Sequence, residues 1–166
     1  MESRAKILGH PIHQMLIPFP LGVLGMSVVF DIIALMLSRH AALFTAAYYM
    51  IAAGIISALI AAVFGLIDFL AIPRGTRARR VGALHGIGNV VVVVLFAISW
   101  VLRRDQPADP SVIAIALSLA GFGLAGITGW LGGELVDRLS VGVDDGAHLD
   151  APNSLSGRPA HEKAAR

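Results

Sequence analysis

Two histidines near the starts of apolar stretches are the side chains best suited to bind a metal or a haem. His13 lies five residues before the first stretch and three after His10, and His85 lies near the start of the third stretch. Asn89 follows His85 by four positions, so the two share one face of a helix. Neutral imidazole binds transition metals and haem iron. Inside a membrane helix, a histidine indicates a functional site more often than it would in a soluble core.

Carboxylates lie near the ends of two other apolar stretches. Asp68 is close to the end of the second and Glu134 to the end of the fourth. A single Zn, Fe or Mn ion would use one of them together with His10, His13 and His85. No local spacing of the H-E-x-x-H type supports such an ion site.

Four arginines stand between positions 74 and 80, just before the third apolar stretch. Their simplest role is to flank a membrane helix and contact anionic lipid. A sharper role is available to Arg74 and Arg77, which would neutralise the carboxylates of a bound cofactor such as the propionates of haem.

The composition is that of an integral membrane protein. Of 166 residues, 56% are hydrophobic and 14% charged, and the mean hydropathy is +0.76. The absence of cysteine excludes disulfides, thiolate-ligated iron–sulfur clusters and covalent c-type haem. The basic residues flank apolar stretches, a pattern typical of membrane proteins, so we expect no binding of nucleic acid despite a pI near 9.5.

Four apolar stretches approach or exceed the roughly 20 residues needed to span a bilayer. They cover 18–37, 44–72, 82–102 and 112–133. Their length and lack of alternation exclude barrel strands, so the sequence predicts an all-α, four-helix transmembrane bundle. Pro18 and Pro20 predict a kink or a restart of the first helix. Residues 1–143 form the predicted membrane domain, and the polar tail 144–166 is expected to be disordered.

Basic residues predict the orientation. With four spans, ten of the thirteen Lys and Arg fall on the side of both termini, and Arg39, Arg103 and Arg104 fall on the other. This distribution predicts that both termini are cytoplasmic.

Asp31 falls near the middle of the first predicted span, where a carboxylate costs about 2.5–3.5 kcal/mol on insertion scales. It therefore needs a partner, water or a proton. We expect a hydrogen bond from another helix, with Ser99 or Tyr48 as the donor, and the alternative is a proton relay.

Small residues recur at four-residue spacing in the fourth span, at Gly121, Ala125, Gly129 and Gly133. The stripe indicates close helix packing, either inside the bundle or between copies of the chain.

The two predicted hairpins resemble each other. His13 and Asp68 delimit the first, and His85 and Glu134 the second. A parallel repeat with a pseudo-twofold axis along the membrane normal would bring His13 and His85 face to face near the cytoplasmic end.

Several motifs together resemble a bacterial four-helix membrane domain of unknown function. They are H-P-I-H at 10–13, G-L-I-D at 65–68, His85, G-W-L-G-G-E-L-V at 129–136 and V-G-V at 141–143. The resemblance implies four spans in a bacterial cytoplasmic membrane. Some relatives lie beside Rieske-type iron–sulfur domains, which implies a redox setting and a redox partner protein.

Three hypotheses follow. The first is a b-type cytochrome with His13 and His85 as axial haem ligands and electron transfer as its role. The second is the single-ion site, and the third is a cofactor-free scaffold or partner subunit in which these groups close a polar network. No nucleophile, base and orienting group combine in the sequence, so hydrolase chemistry has no support, and an electron carrier or scaffold is favoured over a catalyst.

Overall fold

Five α-helices make up most of the chain in the computed structural model, which describes residues 1–164. They are α1 (Ile12–Leu16), α2 (Pro18–Met36), α3 (Ala41–Ala71), α4 (Arg77–Leu102) and α5 (Val112–Gly133). A π-helical turn (Glu134–Arg138) continues α5, and a 3₁₀ turn (Ser154–Ser156) lies in the tail. The last two positions of the tail 144–166 lie outside the described residues. The prediction of an all-α bundle is confirmed, and four segments are long and apolar enough to cross a membrane.

The first spanning segment is interrupted where the prolines lie. α1 ends at Leu16 and α2 begins at Pro18. Proline has no backbone N–H and clashes with the preceding turn, so the helix restarts there. The predicted restart is confirmed, and the two pieces still form one segment over Ile12–Met36.

Side-chain caps set the starts of the last two helices. Thr76 accepts a hydrogen bond from the Arg79 N–H at 3.1 Å, and Ser111 accepts one from the Ala114 N–H at 3.2 Å. Because Thr76 is the cap, α4 begins at Arg77, five residues before the apolar stretch itself.

A small hairpin precedes α1. Strand β1 (Lys6–Ile7) pairs antiparallel with β2 (His10–Pro11). Leu8 and Gly9 connect them with φ values of 51° and 84°, as a two-residue hairpin turn requires. α1, which contains His13, begins immediately after the hairpin.

Each half of the bundle is a helical hairpin. α2 packs along α3, α4 packs along α5, and α3 also contacts α4. The central core cluster joins both hairpins through Leu24, Val28, Ile51, Val92 and Phe96. Because α2 also contacts α5, α2 and α4 lie diagonally opposite each other.

The predicted two-hairpin repeat is present. A shift of 72 positions relates the first spanning segment to α4, and a shift of 67 relates α3 to α5. Buried residues coincide under these shifts, as the pairs Leu24/Phe96, Ser27/Ser99, Asp31/Arg103, Ala47/Ala114, Ile51/Ser118, Gly54/Gly121 and Ala61/Thr128 show. Packing coincides too, since Leu24 lies against Gly54 and Phe96 against Gly121.

Candidate functional site

His13 and His85 meet at one end of the bundle. Their ring centroids are 6.5 Å apart, and the ring planes are nearly perpendicular at 88°. The two residues are equivalent under the 72-residue shift, so the pseudo-twofold axis passes between them. The sequence-based prediction that they face each other is confirmed.

Each histidine is anchored by the other helix of its own hairpin. His13 Nδ1 lies 2.8 Å from the Ala61 carbonyl oxygen, and His85 Nδ1 lies 2.8 Å from the Thr128 carbonyl oxygen. A carbonyl only accepts hydrogen bonds, so Nδ1 carries the proton in both rings. In a neutral imidazole held in this way, Nε2 is the nitrogen that carries the lone pair. Metal-binding histidines are commonly oriented in this way.

Glycines let the imidazoles come this close to the facing helices. A Cβ built at Gly65 would lie 2.7 Å from His13 Cε1, and one built at Gly132 would lie 3.2 Å from His85 Cε1. Gly65 follows Ala61 by four residues, and Gly132 follows Thr128 by four. A carbonyl and a glycine one turn later thus form the same cradle in both halves.

The two Nε2 atoms have different surroundings. The Asn89 side-chain amide lies 3.1 Å from His85 Nε2 and donates to it. Thr128 Oγ donates to Asn89 Oδ1 at 2.9 Å and so fixes the amide. Ile17 takes the place of Asn89 in the first half, and within residues 1–164 no side chain hydrogen-bonds to His13 Nε2. The sequence predicts that Asn89 shares a helix face with His85 and helps to bind a cofactor there; the structure places its amide against His85 Nε2.

The other candidate residues lie apart from this pair. His10 is exposed, with Nε2 3.3 Å from Ser154 Oγ. Glu134 pairs with Arg77 at 2.6 Å, and Arg74 is exposed. Across residues 1–164, no three His, Asp or Glu side chains gather in a way that could hold a metal ion.

Asp68 binds the N-terminal segment rather than the histidines. Ser3 Oγ lies 2.8 Å from both carboxylate oxygens, and the Arg4 N–H donates to Oδ1 at 2.7 Å. The charged N-terminus in turn donates to the Ser140 carbonyl at 2.7 Å. The N-terminal segment thus closes over the end of the bundle at which the histidines meet.

Asp31 and Arg103 meet at the opposite end of the bundle. Arg103 Nη1 and Nη2 donate to the two Asp31 carboxylate oxygens at 2.7 and 2.6 Å. Both side chains are buried, with 0% and 1% exposure. The expectation that Ser99 or Tyr48 bonds Asp31 is wrong. Ser99 bonds Arg103 instead, and Tyr48 stacks on Trp100.

Arg103 could have been found in the sequence. Hydropathy placed it in a loop, because arginine ends an apolar stretch. The 72-residue shift that aligns His13 with His85 also aligns Asp31 with Arg103. The repeat therefore identifies Arg103 as the residue equivalent to Asp31, which local composition does not.

The small-residue stripe is only partly internal. Gly121 and Ala125 pack against the core, whereas a Cβ on Gly129 would meet nothing within 4 Å. Four-residue spacing advances about 40° beyond a full turn, so the stripe drifts off the interface. Thr128 and Gly132 continue the inward face instead.

Fold and site together define a multi-pass membrane protein, a four-helix bundle of two similar hairpins with one histidine from each on its axis. The chain belongs to the family described as "Predicted membrane protein (DUF2231)", whose model matches residues 9–145. No curated protein and no solved structure matches the chain.

Proposed function

We propose that this chain is a b-type haem protein that transfers electrons, with His13 and His85 as axial ligands. The observation that carries the proposal is the convergence of the two imidazoles across the pseudo-twofold axis. Each is held through Nδ1, which leaves Nε2 for iron.

The number of converging side chains favours haem over a bare ion. A protein site for Zn, Fe or Mn needs three or more side-chain ligands, and His10, Asp68 and Glu134 are bound elsewhere. Haem supplies four nitrogens itself, so two histidines complete its coordination. His13 and His85, whose ring centroids lie 6.5 Å apart, would be the two protein ligands of the haem iron.

Ligation by His85 requires one local change. The Asn89 amide must turn away from His85 Nε2 to free the lone pair.

Arg77 lies eight residues before His85, about 12 Å along α4. Its side chain is 54% exposed and can leave Glu134 to meet a propionate, and Arg74 offers a second cation nearby.

We also propose that the histidine end faces the cytoplasm of a bacterial cell and lies in its cytoplasmic membrane. The excess of basic residues at this end supports that orientation. A redox partner protein would then exchange electrons with the haem from the cytoplasmic side.

A cofactor-free scaffold is the second candidate, and one observation favours it. His85, Asn89 and Thr128 already satisfy one another through hydrogen bonds. A closed network of this kind stabilises a helix interface without a cofactor.

The test is a reduced-minus-oxidised visible spectrum of the protein purified in detergent after expression with a haem precursor. We expect a Soret shift and sharp reduced bands of a six-coordinate b-type haem, at about one haem per chain. Elemental analysis of the same sample measures iron, zinc and manganese. A flat spectrum with no bound metal, from cells in which a control cytochrome is fully loaded, would leave the scaffold as the function.

A further inference from the structure

The buried pair Asp31 and Arg103 lies on the same pseudo-axis as the histidines. The two residues are 72 positions apart, as His13 and His85 are. At an axis of this kind, each residue meets its own equivalent from the other half. Here the equivalents carry opposite charges and form a bidentate pair at 2.7 and 2.6 Å.

No other pair of equivalents described above opposes one charge to another. His13 and His85 are identical, Ser27 and Ser99 are identical, and Leu24 and Phe96 are both apolar. Ile17 and Asn89 differ in polarity, but neither is charged. If two copies of the same hairpin paired, like charges would therefore oppose each other at the level of the ion pair and at none of these other levels.

We propose that Asp31 and Arg103 select the partner of each hairpin, so that the first hairpin pairs with the second and not with a copy of itself from another chain. A first hairpin on its own copy would oppose two carboxylates, and a second on its own copy would oppose two guanidiniums. Like charges at hydrogen-bond distance, away from water and without a counter-charge, are strongly unfavourable.

The two hairpins contribute different surroundings to the ion pair, as this role requires. Arg103 is held by its own hairpin, through Ser99 Oγ at 3.2 Å and Ser118 Oγ at 3.1 Å. In the first hairpin, Ile51 takes the place of Ser118 and is fully buried. The second hairpin thus presents a pre-oriented guanidinium, and the first presents a carboxylate whose hydrogen-bonding need that guanidinium meets.

A crosslinking experiment on the full chain tests the proposal. The chain has no cysteine, so Leu24→Cys is a unique reporter in the core next to the axis. Chains in membranes are oxidised with copper–phenanthroline, and disulfide-linked dimers are counted. Two reporters meet only when first hairpins pair with each other. Reporter chains with the native ion pair set the background.

The decisive variant removes both charges, as D31L/R103L, which keeps the core apolar. We expect helicity to be retained and the 24–24 crosslink to rise several-fold above background. The charge reversal D31R/R103D should return the crosslink towards background, although its arginine lacks the equivalent of Ser118, because Ile51 stands at that position. Adding I51S/S118I transfers that partner and should complete the return.

Three results would overturn the proposal. One is a folded D31L/R103L chain that crosslinks no more than the native pair. A second is loss of the helical fold in D31L/R103L, since the pair would then be needed for folding itself. The third is a crosslink in the charge-reversed chains as high as in the uncharged ones.

Discussion

His13 and His85 are held by the same device in the two halves of the bundle, a backbone carbonyl at 2.8 Å with a glycine one turn beyond it. Two hairpins with different sequences have thus kept one way of presenting an imidazole. The proposed function depends on both imidazoles.

Replacing either histidine should remove the haem. His85→Ala and His13→Ala each delete an axial ligand, so we expect the reduced spectrum of a six-coordinate haem to be lost, with about tenfold less haem per chain. His10→Ala is the matched control, because the His10 side chain is exposed and its only hydrogen bond within residues 1–164 is with Ser154 in the tail. Full haem content in His85→Ala would rule out His85 as a ligand.

Filling the glycine cradle should destabilise the bundle. Gly65→Ala forces a methyl group to 2.7 Å from the His13 ring, and overpacking of this kind costs about 1–3 kcal/mol. Gly129→Ala on α5 is the control, because its Cβ would meet nothing within 4 Å. Thermal unfolding in detergent, followed by circular dichroism, should show a lower Tm for Gly65→Ala only. Equal Tm values in the two variants would contradict the close packing of Gly65 against the His13 ring.

Removing the charge of Asp68 should release the N-terminal segment. Asp68→Asn removes the negative charge and replaces one of the two acceptor oxygens with an NH2 donor, so only one oxygen remains to accept from Ser3 Oγ and from the Arg4 N–H. An unmade hydrogen bond to a charged group costs about 1–3 kcal/mol. We expect trypsin to cleave at Arg4 and Lys6 roughly tenfold faster, since cleavage follows local opening. Glu134→Gln is the control. Glu134 lies at the same end of the bundle but pairs with Arg77 of α4 and not with the N-terminal segment. Cleavage at the same rate in both variants would contradict the role of Asp68.

Acid should detach the same segment from residues 144–145. The hydrogen bond from Lys6 holds the pKa of Glu2 below its ordinary value. Burial lowers the pKa of Lys6, but its ion pairs with Asp144 and Glu2 outweigh burial and raise it. The Glu2 contribution is therefore complete above the ordinary glutamate pKa of about 4.3 and is lost as the pH falls through the lower, folded value. The Lys6 contribution is complete below the ordinary lysine pKa of about 10.4 and is lost as the pH rises through the higher, folded value.

Spin labels at Arg4→Cys and Ala147→Cys measure this change. The distance distribution should be narrow between pH 6 and 9 and broaden as the pH falls below about 4. The variant Lys6→Gln should be broad throughout, since it lacks the cation that both carboxylates share. A distribution that does not change with pH would show that these ion pairs do not hold the segment.

The helices and their repeat could be predicted because hydropathy and position carry that information directly. Runs such as 44–72 leave no alternative to a helix in lipid, and the prolines at 18 and 20 mark the break. The meeting of His13 and His85 followed from the repeat and from the two spans between them, which bring both histidines to the same end of the bundle. It needed no knowledge of individual contacts.

The rest of the site depends on side-chain geometry that composition does not encode. The order of the spans puts Asp68 and Glu134 at the same end of the bundle as the histidines, yet Asp68 bonds Ser3 and Glu134 bonds Arg77. The two acids also differ by one position under the repeat, and one position turns a helical side chain by about 100°. The burial of Arg103 and its ion pair with Asp31 were not predicted, because a charged residue at a helix end is normally solvated.

The length of α3 determines what surrounds the histidines. Its 31 residues extend about 46 Å, well beyond a hydrocarbon core of about 30 Å. Ala61 lies twenty residues from the end of α3 that is remote from the histidines, about one core thickness, and ten residues of α3 continue past it. With one face of the hydrocarbon core placed at Ala41, His13, bonded to Ala61, would lie at the opposite boundary between hydrocarbon and headgroups. An amphipathic cofactor at this level would keep its apolar body in the lipid and its charged edge among the headgroups.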